Sequence, residues 1–107
     1  MLETTRLFTE ALNARDLETM RALVADDVEF RTRDGRALKG YDGLDVVVKA
    51  VLDTDLLLAR RGAERQGDGS GRVTVPMRVL VGKNELSGTA VFEGSDGKVG
   101  LFSLTTD

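Results

Sequence analysis

Residues 8–40 read FTEALNARDLETMRALVADDVEFRTRDGRALKG, and this stretch carries the strongest architectural signal in the chain. Two blocks with helical spacing of apolar residues are separated by Asp16, which is a good N-cap for the second helix. The pair Asp26-Asp27 predicts where that helix stops, because Asp side chains bond nearby backbone groups rather than continue a helix. Residues 28–33 then alternate apolar and polar, which is typical of a half-buried strand.

The same periodicities extend over the rest of the chain. A first helix is predicted from Leu2 to about Ala14, with its apolar stripe at Leu7, Phe8, Ala11 and Leu12. A third helix opens at residues 40–43 and carries its apolar side chains at Leu44, Val47, Val48, Val51 and Leu52. Strands are predicted at residues 56–64, 72–81, 86–93 and 99–106. The Gly-rich residues 66–71 are predicted to be a hairpin tip rather than a phosphate-binding loop.

The composition excludes several classes of function. The chain has 107 residues, which suits one domain, and its formal net charge of -3 disfavours binding to nucleic acid or anionic lipid. It contains no Cys and no His, so it offers no disulfide, no thiol nucleophile and no imidazole base or metal ligand. We therefore expect no cofactor, no metal, no nucleic-acid partner, no membrane segment and a cytoplasmic location.

Two hairpin turns predict the register of the last three strands. If Lys83-Asn84 and Asp96-Gly97 are the loop centres, one mainly apolar face forms from the pairs Val81–Leu86, Val79–Gly88, Met77–Ala90, Val75–Phe92, Phe92–Leu101, Ala90–Ser103 and Gly88–Thr105. The middle of this face is small, at Gly88, Ala90 and Ser103. Small central residues predict either a sharp bend or a hollow beneath the sheet.

The opposite face of this sheet is more apolar than a solvated face requires, because it carries Leu80, Val91, Phe102 and Leu104. We therefore expect a homodimer that buries this outer sheet face, with a monomer as the alternative. Pro76 lies inside a predicted strand and has no N–H to donate, so a bulge or an edge position is expected there.

Three N-terminal helices interrupted by a strand and followed by a curved sheet resemble the nuclear transport factor 2-like superfamily, and within it the SnoaL-like group. The resemblance rests on residues 8–16 (FTEALNARD), 23–30 (LVADDVEF) and 38–40 (LKG), and on the closing strands around residues 96–98 (DGK). It implies an α+β cone, in which a curved antiparallel sheet wraps around three N-terminal helices and encloses a cavity. It also implies a homodimer through the outer sheet faces.

Enzymes of this family imply catalytic positions that this sequence does not fill. Matching the steroid isomerases places Phe8 where they have an oxyanion-stabilising Tyr, Thr32 where they have the proton-shuttling Asp, and Gly88 near their protonated Asp. The epoxide hydrolase pattern Arg-x-Asp becomes residues 78–80 (RVL), and the cyclase His has no counterpart. Neither Phe nor Gly has a side-chain donor, and Thr is no base at neutral pH. The resemblance therefore predicts no recognisable acid–base catalytic set.

The remaining polar candidates have a structural and a functional interpretation. Asp26-Asp27 form a carboxylate pair, but adjacent residues point apart, so a capping role is favoured. Strand parity leaves open whether Arg60 or Arg61 points inward, and an inward Arg would need an anionic partner. Thr32 and Ser103 have inward parity, and each would bond either its own sheet or a ligand.

We predict that the interior holds a largely apolar pocket for a small apolar ligand and contains no proton-transferring group. Its predicted walls are Phe8, Leu12, Met20, Phe30, Thr32, Val47, Val51, Met77, Ala90, Phe92 and Ser103. One alternative is an isomerase, cyclase or hydrolase that uses a non-standard carboxylate such as Glu29, Asp34 or Asp53. Another is a dimerisation or association module with a filled interior and no ligand.

Overall fold

Three helices and seven strands form within the residues that the computed structural model describes, which are 1–31, 35–67 and 71–106. The helices are α1 (Leu2–Ala14), α2 (Leu17–Ala22) and α3 (Gly40–Leu52). The strands are β1 (Val24–Arg31), β2 (Ala37–Lys39), β3 (Leu56–Arg60), β4 (Arg65–Gln66), β5 (Arg72–Val81), β6 (Asn84–Ser95) and β7 (Lys98–Thr106). Thr32, Asp34 and the centre of the Gly-rich tip lie outside the described residues, as does the side chain of Val51.

Helix α1 has the predicted bounds, but its buried face differs from the prediction. Its buried side chains are Thr4, Thr5, Phe8, Ala11 and Leu12. Leu7, which the apolar stripe includes, is 42% exposed. Thr4 is held inside because its hydroxyl donates to the carbonyl of Gly97 at 3.1 Å. The buried face therefore runs on towards the N-terminus through two threonines.

Helix α2 is capped by Asp16, as predicted. Its carboxylate accepts from the Thr19 hydroxyl at 2.6 Å and from the Thr19 backbone N at 3.2 Å. These two hydrogen bonds, the hydroxyl one first, lower the pKa of Asp16 below its ordinary value of 3.8. The break between α1 and α2 thus depends on local side-chain chemistry.

The predicted role of Asp26-Asp27 as a helix stop is wrong, because α2 ends before them and both lie in β1. The chain has already entered the sheet at Val24, which pairs with Val99. The carbonyl of Leu23 accepts from the Val99 backbone N at 2.8 Å. Backbone pairing with β7 therefore ends the helix, and Asp26 instead accepts a hydrogen bond from the Tyr41 hydroxyl at 2.8 Å.

The sheet has the strand order β2-β1-β7-β6-β5-β3, with β4 also paired to β5. The predicted α+β class is confirmed, since this open curved sheet packs against the three helices. Strands β1 and β7 run parallel and the other pairs run antiparallel, so the sheet is mixed. Among the described residues, no helix combines the length and apolar content needed to cross a bilayer.

The β5–β6 hairpin has the predicted faces but a different register. Its loop is Gly82-Lys83, so Met77 pairs with Gly88 rather than with Ala90. Gly82 has φ 58, and a positive φ at the first loop position is what a type II′ turn requires. The pairing moves by an even number of residues, and Met77, Gly88 and Ala90 therefore keep the same face.

The β6–β7 hairpin begins in the predicted register and then leaves it. Its pairs are Ser95–Lys98 and Gly94–Val99 near the turn, followed by Glu93–Leu101. Gly100 is the extra residue of a β-bulge, which the turn residues alone do not predict. One inserted residue exchanges the two faces of the strand beyond it.

The bulge reverses the predicted side-chain directions of residues 101–105 in β7, so Leu101 and Thr105, expected inside, take the outer face. Phe102, expected outside, pairs with Phe92 and is buried in the core, and Leu104 also packs against the core. Ser103, expected inside, pairs with Val91 and takes the outer face. The prediction that Ser103 lines the interior is wrong, as is the prediction that Phe102 and Leu104 cover the outer face.

Pro76 lies in β5 where its missing N–H is not needed. Its carbonyl accepts from the Arg61 backbone N at 2.8 Å. The N and O of one strand residue point to the same side, so the proline nitrogen faces residues 61–64, between β3 and β4. This local gap in the ladder matches the edge position that the sequence predicts.

Four phenylalanines form one aromatic cluster in the core. The ring centroid of Phe8 in α1 lies 6.5 Å from that of Phe30, 6.0 Å from that of Phe92 and 5.7 Å from that of Phe102. Phe92 and Phe102 are 5.0 Å apart. All four side chains are buried, so aromatic rings fill the interior at this level.

Candidate functional site

A partly open cavity of about 410 Å³ lies between α1 and the inner face of β5. Its lining residues are Thr5, Arg6, Thr9, Glu10, Arg60, Glu64, Val75 and Met77. We call it the Thr5–Met77 cavity. Strand β5 supplies its apolar side, and α1 supplies its polar side. The end of β3 and the segment between β3 and β4 supply its rim.

Helix α1 contributes four of these side chains because their spacing matches a helix face. Residues 5, 6, 9 and 10 follow the i, i+1, i+4, i+5 pattern, just as the predicted apolar stripe does. The predicted apolar stripe of α1 does not include these polar residues, although the same helical periodicity marks them as one face. Glu64 carried no comparable signal, since residues 61–64 belong to no helix or strand.

The hydroxyl of Thr5 is buried and, within the described part of the chain, has no hydrogen-bond partner. Thr5 is 2% exposed and lines the cavity. Its carbonyl, by contrast, accepts from the Thr9 hydroxyl at 2.9 Å, a bond that Thr commonly makes within a helix. An unpaired buried hydroxyl costs about 1–3 kcal/mol, and buried polar groups therefore nearly always have a partner.

The carboxylate of Glu64 joins the two sides of the rim. It accepts hydrogen bonds from Nε and Nη2 of Arg6 at 3.0 to 3.2 Å, and a further one from Nη1 of Arg60. The Glu64 side chain is only 4% exposed, whereas those of Arg6 and Arg60 are 57% and 54% exposed. A shielded anion is thus held by two half-exposed cations.

These contacts set the charge state of Glu64. Burial by itself raises the pKa of its carboxyl, but the hydrogen bonds and charges of Arg6 and Arg60 outweigh burial and bring the pKa below its ordinary value of 4.5. The hydrogen bond to Glu64 in turn raises the pKa of Arg6. Glu64 is therefore ionised at neutral pH. This carboxylate lies at the rim and is engaged with two cations, so the absence of a proton-transferring group from the interior stays a prediction.

The structure decides between Arg60 and Arg61, which strand parity left open. Arg60 pairs with Met77 and shares its inner face. Arg61 follows the end of β3, and its side chain is exposed. The anionic partner that an inward Arg requires is supplied by Glu64.

Most of the predicted pocket walls lie in the core rather than around this cavity. The buried ones are Phe8, Leu12, Met20, Phe30, Met77, Ala90 and Phe92, and Val47 packs against them. Among the predicted walls with described side chains, Met77 is the one that lines the Thr5–Met77 cavity. The aromatic cluster explains the difference. Its rings occupy the space beneath the sheet where the small central residues had predicted a hollow.

Those positions corresponding to family catalytic residues that the structure describes are not part of the cavity lining. Phe8 lies inside the aromatic cluster. A Cβ at Gly88 would lie 2.4 Å from the carbonyl oxygen of Thr105. The glycine therefore allows the backbones of β6 and β7 to approach closely at this point. Arg78 is exposed on the outer face, in an ion pair with Glu85 at 3.4 Å. Glu29, one of the alternative bases, also lies on the outer face.

Comparison with known proteins agrees with this architecture. The sequence profile of the SnoaL-like domain family matches residues 5–100. The chain belongs to this family. No curated protein sequence matches this SnoaL-like domain significantly.

Solved structures share the fold of this SnoaL-like domain at low sequence identity. A candidate ketosteroid isomerase from Kribbella flavida is 20% identical, with a TM-score of 0.81 over 98% of this chain and 76% of the other. An NTF2-like protein of unknown function from Burkholderia pseudomallei is 22% identical, with a TM-score of 0.81 over 99% and 89%. A computationally designed 17-OHP binder is 16% identical, with a TM-score of 0.81 over 99% and 88%. The likeness at these identities concerns the fold.

Proposed function

We propose that this SnoaL-like domain binds a small, largely apolar molecule in the Thr5–Met77 cavity and does not carry out acid–base catalysis. The observation that carries the proposal is the mixed lining of this cavity, in which apolar side chains of β5 face polar side chains of α1. The Thr9 hydroxyl, which donates to the Thr5 carbonyl, keeps its lone pairs to accept a hydrogen bond from the ligand. Val75 and Met77 offer apolar surface to the rest of the ligand.

The dimensions of the cavity suit such a ligand. Small-molecule pockets typically enclose about 300–1,000 Å³ and combine apolar walls with a few placed polar groups. The Thr5–Met77 cavity, at about 410 Å³, is in this range and has the same mixed lining. A designed protein of this fold is named for binding 17-OHP, which supports ligand binding as a use of the fold.

The charge state of the cavity supports binding rather than proton transfer. A general base works best when its pKa is near the working pH. Glu64 has a lowered pKa and gives its oxygens to Arg6 and Arg60, so it is a weak proton acceptor. Phe8 and Gly88, at the family positions, have no group that transfers a proton.

Titration with phenylnaphthylamine, an uncharged dye that fluoresces in apolar surroundings, tests this proposal. We expect saturable binding by the wild type and its loss in Thr9→Phe, whose ring fills the Thr5–Met77 cavity. Ala14→Phe places the same ring at an exposed position of α1 and should bind like the wild type. An absence of saturable binding by the wild type would contradict the proposal, as would equal binding by both variants.

One observation favours an enzyme as the second candidate. Glu10 lines the Thr5–Met77 cavity and is exposed, which leaves a carboxylate within reach of a bound molecule. An isomerase, cyclase or hydrolase that uses this non-standard carboxylate would lose turnover in Glu10→Gln while phenylnaphthylamine binding stays unchanged. Turnover of steroid-like or polyketide-like substrates by the wild type is the first measurement.

We also infer a homodimer through the outer sheet face. Leu57, 45% exposed, lies opposite Leu80 on this face, and Val91 and Leu101 add further apolar surface. Sedimentation velocity should give a dimer, and Leu57→Lys should shift it towards the monomer. A wild type that sediments as a monomer at all concentrations contradicts the dimer. If the domain is instead an association module without a ligand, the wild type should form the dimer and should not bind phenylnaphthylamine.

A further inference from the structure

A second cavity of about 520 Å³ adjoins the Thr5–Met77 cavity. Its lining residues are Leu2, Arg6, Arg60, Arg61, Gly62, Ala63 and Glu64, and we call it the Arg61 cavity. Arg6, Arg60 and Glu64 line both cavities. The ion-paired cluster is therefore the junction through which one molecule could extend from one cavity into the other.

Positive charge exceeds negative charge around the Arg61 cavity. Arg6, Arg60 and Arg61 bring three guanidinium groups to its lining, and Glu64 brings the one carboxylate. The side chain of Arg61 is exposed and has no ion pair with the residues that the structure describes. The cavity thus retains unneutralised positive charge.

The arginines at the junction also have unused hydrogen-bond donors. A guanidinium group has five N–H donors in a planar arrangement that matches an oxyanion. Arg6 uses its Nε and Nη2 on Glu64, and Arg60 uses its Nη1. Both side chains are about half exposed, so further donors can be reached from the cavities.

We propose that the ligand of this domain is an organic anion whose apolar part occupies the Thr5–Met77 cavity and whose acidic group binds Arg6 and Arg60 at the junction. This proposal rests on the proposed function, because it requires that the Thr5–Met77 cavity binds a ligand. Val75 and Met77 contact the apolar part, and Arg61 adds to the attraction of the acidic group.

An anion fits this junction better than the other charge classes do. A cationic ligand would meet three guanidinium groups and would have to separate Glu64 from its partners. A neutral ligand would leave the positive charge uncompensated. A carboxylate or sulfonate gains charge-assisted hydrogen bonds from both arginines, which are stronger than neutral ones. Glu64 competes for the same donors, so it weakens the binding of the anion.

Two matched dyes test the proposal. Anilinonaphthalene sulfonate and phenylnaphthylamine share one ring system and differ in the sulfonate. We expect the wild type to bind the anionic dye about two to five times more tightly, the size of effect that a partly exposed ion pair produces. Arg60→Gln and Arg6→Gln should each reduce this preference, which is measured as the ratio of the two affinities in the same variant. Glu64→Gln removes the competing carboxylate and should increase the preference.

Arg78→Gln is the matched control, because Arg78 is also 57% exposed and ion-paired but lies on the outer sheet face. It should keep the preference of the wild type. Equal or tighter binding of the uncharged dye by the wild type overturns the anion proposal and leaves the proposed function standing. An equal loss of preference in Arg78→Gln and Arg60→Gln also overturns it. Failure of the wild type to bind either dye contradicts both proposals.

Discussion

Asn13 and Leu58 exchange two hydrogen bonds, and in this way a helix side chain completes the edge of the sheet. Asn13 Nδ2 donates to the Leu58 carbonyl at 2.8 Å, and the Leu58 backbone N donates to Asn13 Oδ1 at 2.9 Å. Strand β3 is the last strand in the sheet order, so its outer backbone groups have no strand partner there. The carboxamide supplies one donor and one acceptor, as a neighbouring peptide group would.

Replacing Asn13 tests this edge contact. Asn13→Asp keeps the size of the side chain and the acceptor for the Leu58 N–H, but it places a second oxygen against the Leu58 carbonyl. We expect the free energy of unfolding to fall by about 1–3 kcal/mol, as for a lost hydrogen bond with an unpaired partner. Urea unfolding measures the change. A change of less than about 0.5 kcal/mol, typical of an ordinary surface position, would contradict the role of the contact.

Thr4 and Thr5 form a natural matched pair for the effect of a buried hydroxyl. Thr5→Val removes a hydroxyl without a partner in the described structure, so the free energy of unfolding should rise by about 1 kcal/mol. Thr4→Val removes the donor to the Gly97 carbonyl, so the free energy of unfolding should fall by about 1 kcal/mol. Thermal and urea unfolding measure both changes. Equal effects of the two substitutions would show that Thr5 has a partner in solution.

Phe8→Tyr distinguishes a filled interior from a hollow one. The added hydroxyl enters the aromatic cluster, where Phe30, Phe92 and Phe102 offer it no hydrogen bond. We expect the free energy of unfolding to fall by about 1–3 kcal/mol. Phe8→Ala should cost about 3–5 kcal/mol, as expected for removal of a packed aromatic ring. A tyrosine variant as stable as the wild type would indicate open space beside Phe8.

Gly88→Ala and Gly100→Ala test whether small residues in the sheet serve close packing. A Cβ at Gly88 would lie 2.4 Å from the Thr105 carbonyl oxygen, whereas a Cβ at Gly100 would lie 3.6 Å from its nearest neighbour, the Glu93 carbonyl oxygen. We expect Gly88→Ala to lower the free energy of unfolding by about 1–3 kcal/mol, as overpacking does. Gly100→Ala should change it much less. Urea unfolding measures both changes. A larger loss of stability in Gly100→Ala than in Gly88→Ala would favour the interpretation of Gly88 as the border of a hollow.

The ion pairs of Glu64 should make stability depend on pH in a defined window. The folded-state pKa of Glu64 is lower than its ordinary value of 4.5, so its contribution is complete above that value and is lost as the pH falls through the folded pKa. Glu64→Gln should therefore be less stable than the wild type at neutral pH, and the two should converge on acidification. Urea midpoints at a series of pH values measure this. A difference that persists unchanged in acid would exclude the ion pairs as its cause.

The sequence predicted the features that depend on neighbouring residues. The bounds of α1, the Asp16 cap and the turn at Asp96-Gly97 each follow from chemistry within a few positions along the chain. The family resemblance and the α+β class follow from the order of these local elements. Such features persist in the folded protein because their hydrogen bonds are satisfied locally.

The register of β7 could not be predicted in the same way. The apolar residues of this strand occupy both parities, at Val99 and Leu101 and at Phe102 and Leu104, so the periodicity does not say which pair faces the core or where the extra residue lies. The prediction for Ser103 failed for this reason, as did that for Phe102. Long-range pairing also explains why Asp26-Asp27 lie in a strand. Backbone pairing of β1 with β7 outweighed the local preference of Asp for the end of a helix.

Local chemistry was enough to specify α1, the Asp16 cap of α2, the turn at Asp96-Gly97 and the family of this chain. The candidate site needed long-range packing, since Arg6 and Glu64 are 58 positions apart and meet only when α1 lies across the end of β3. Periodicity reports which side of an element is apolar, but it carries no information about which elements face one another. The unpaired hydroxyl of Thr5 and the shared carboxylate of Glu64 are consequences of that arrangement.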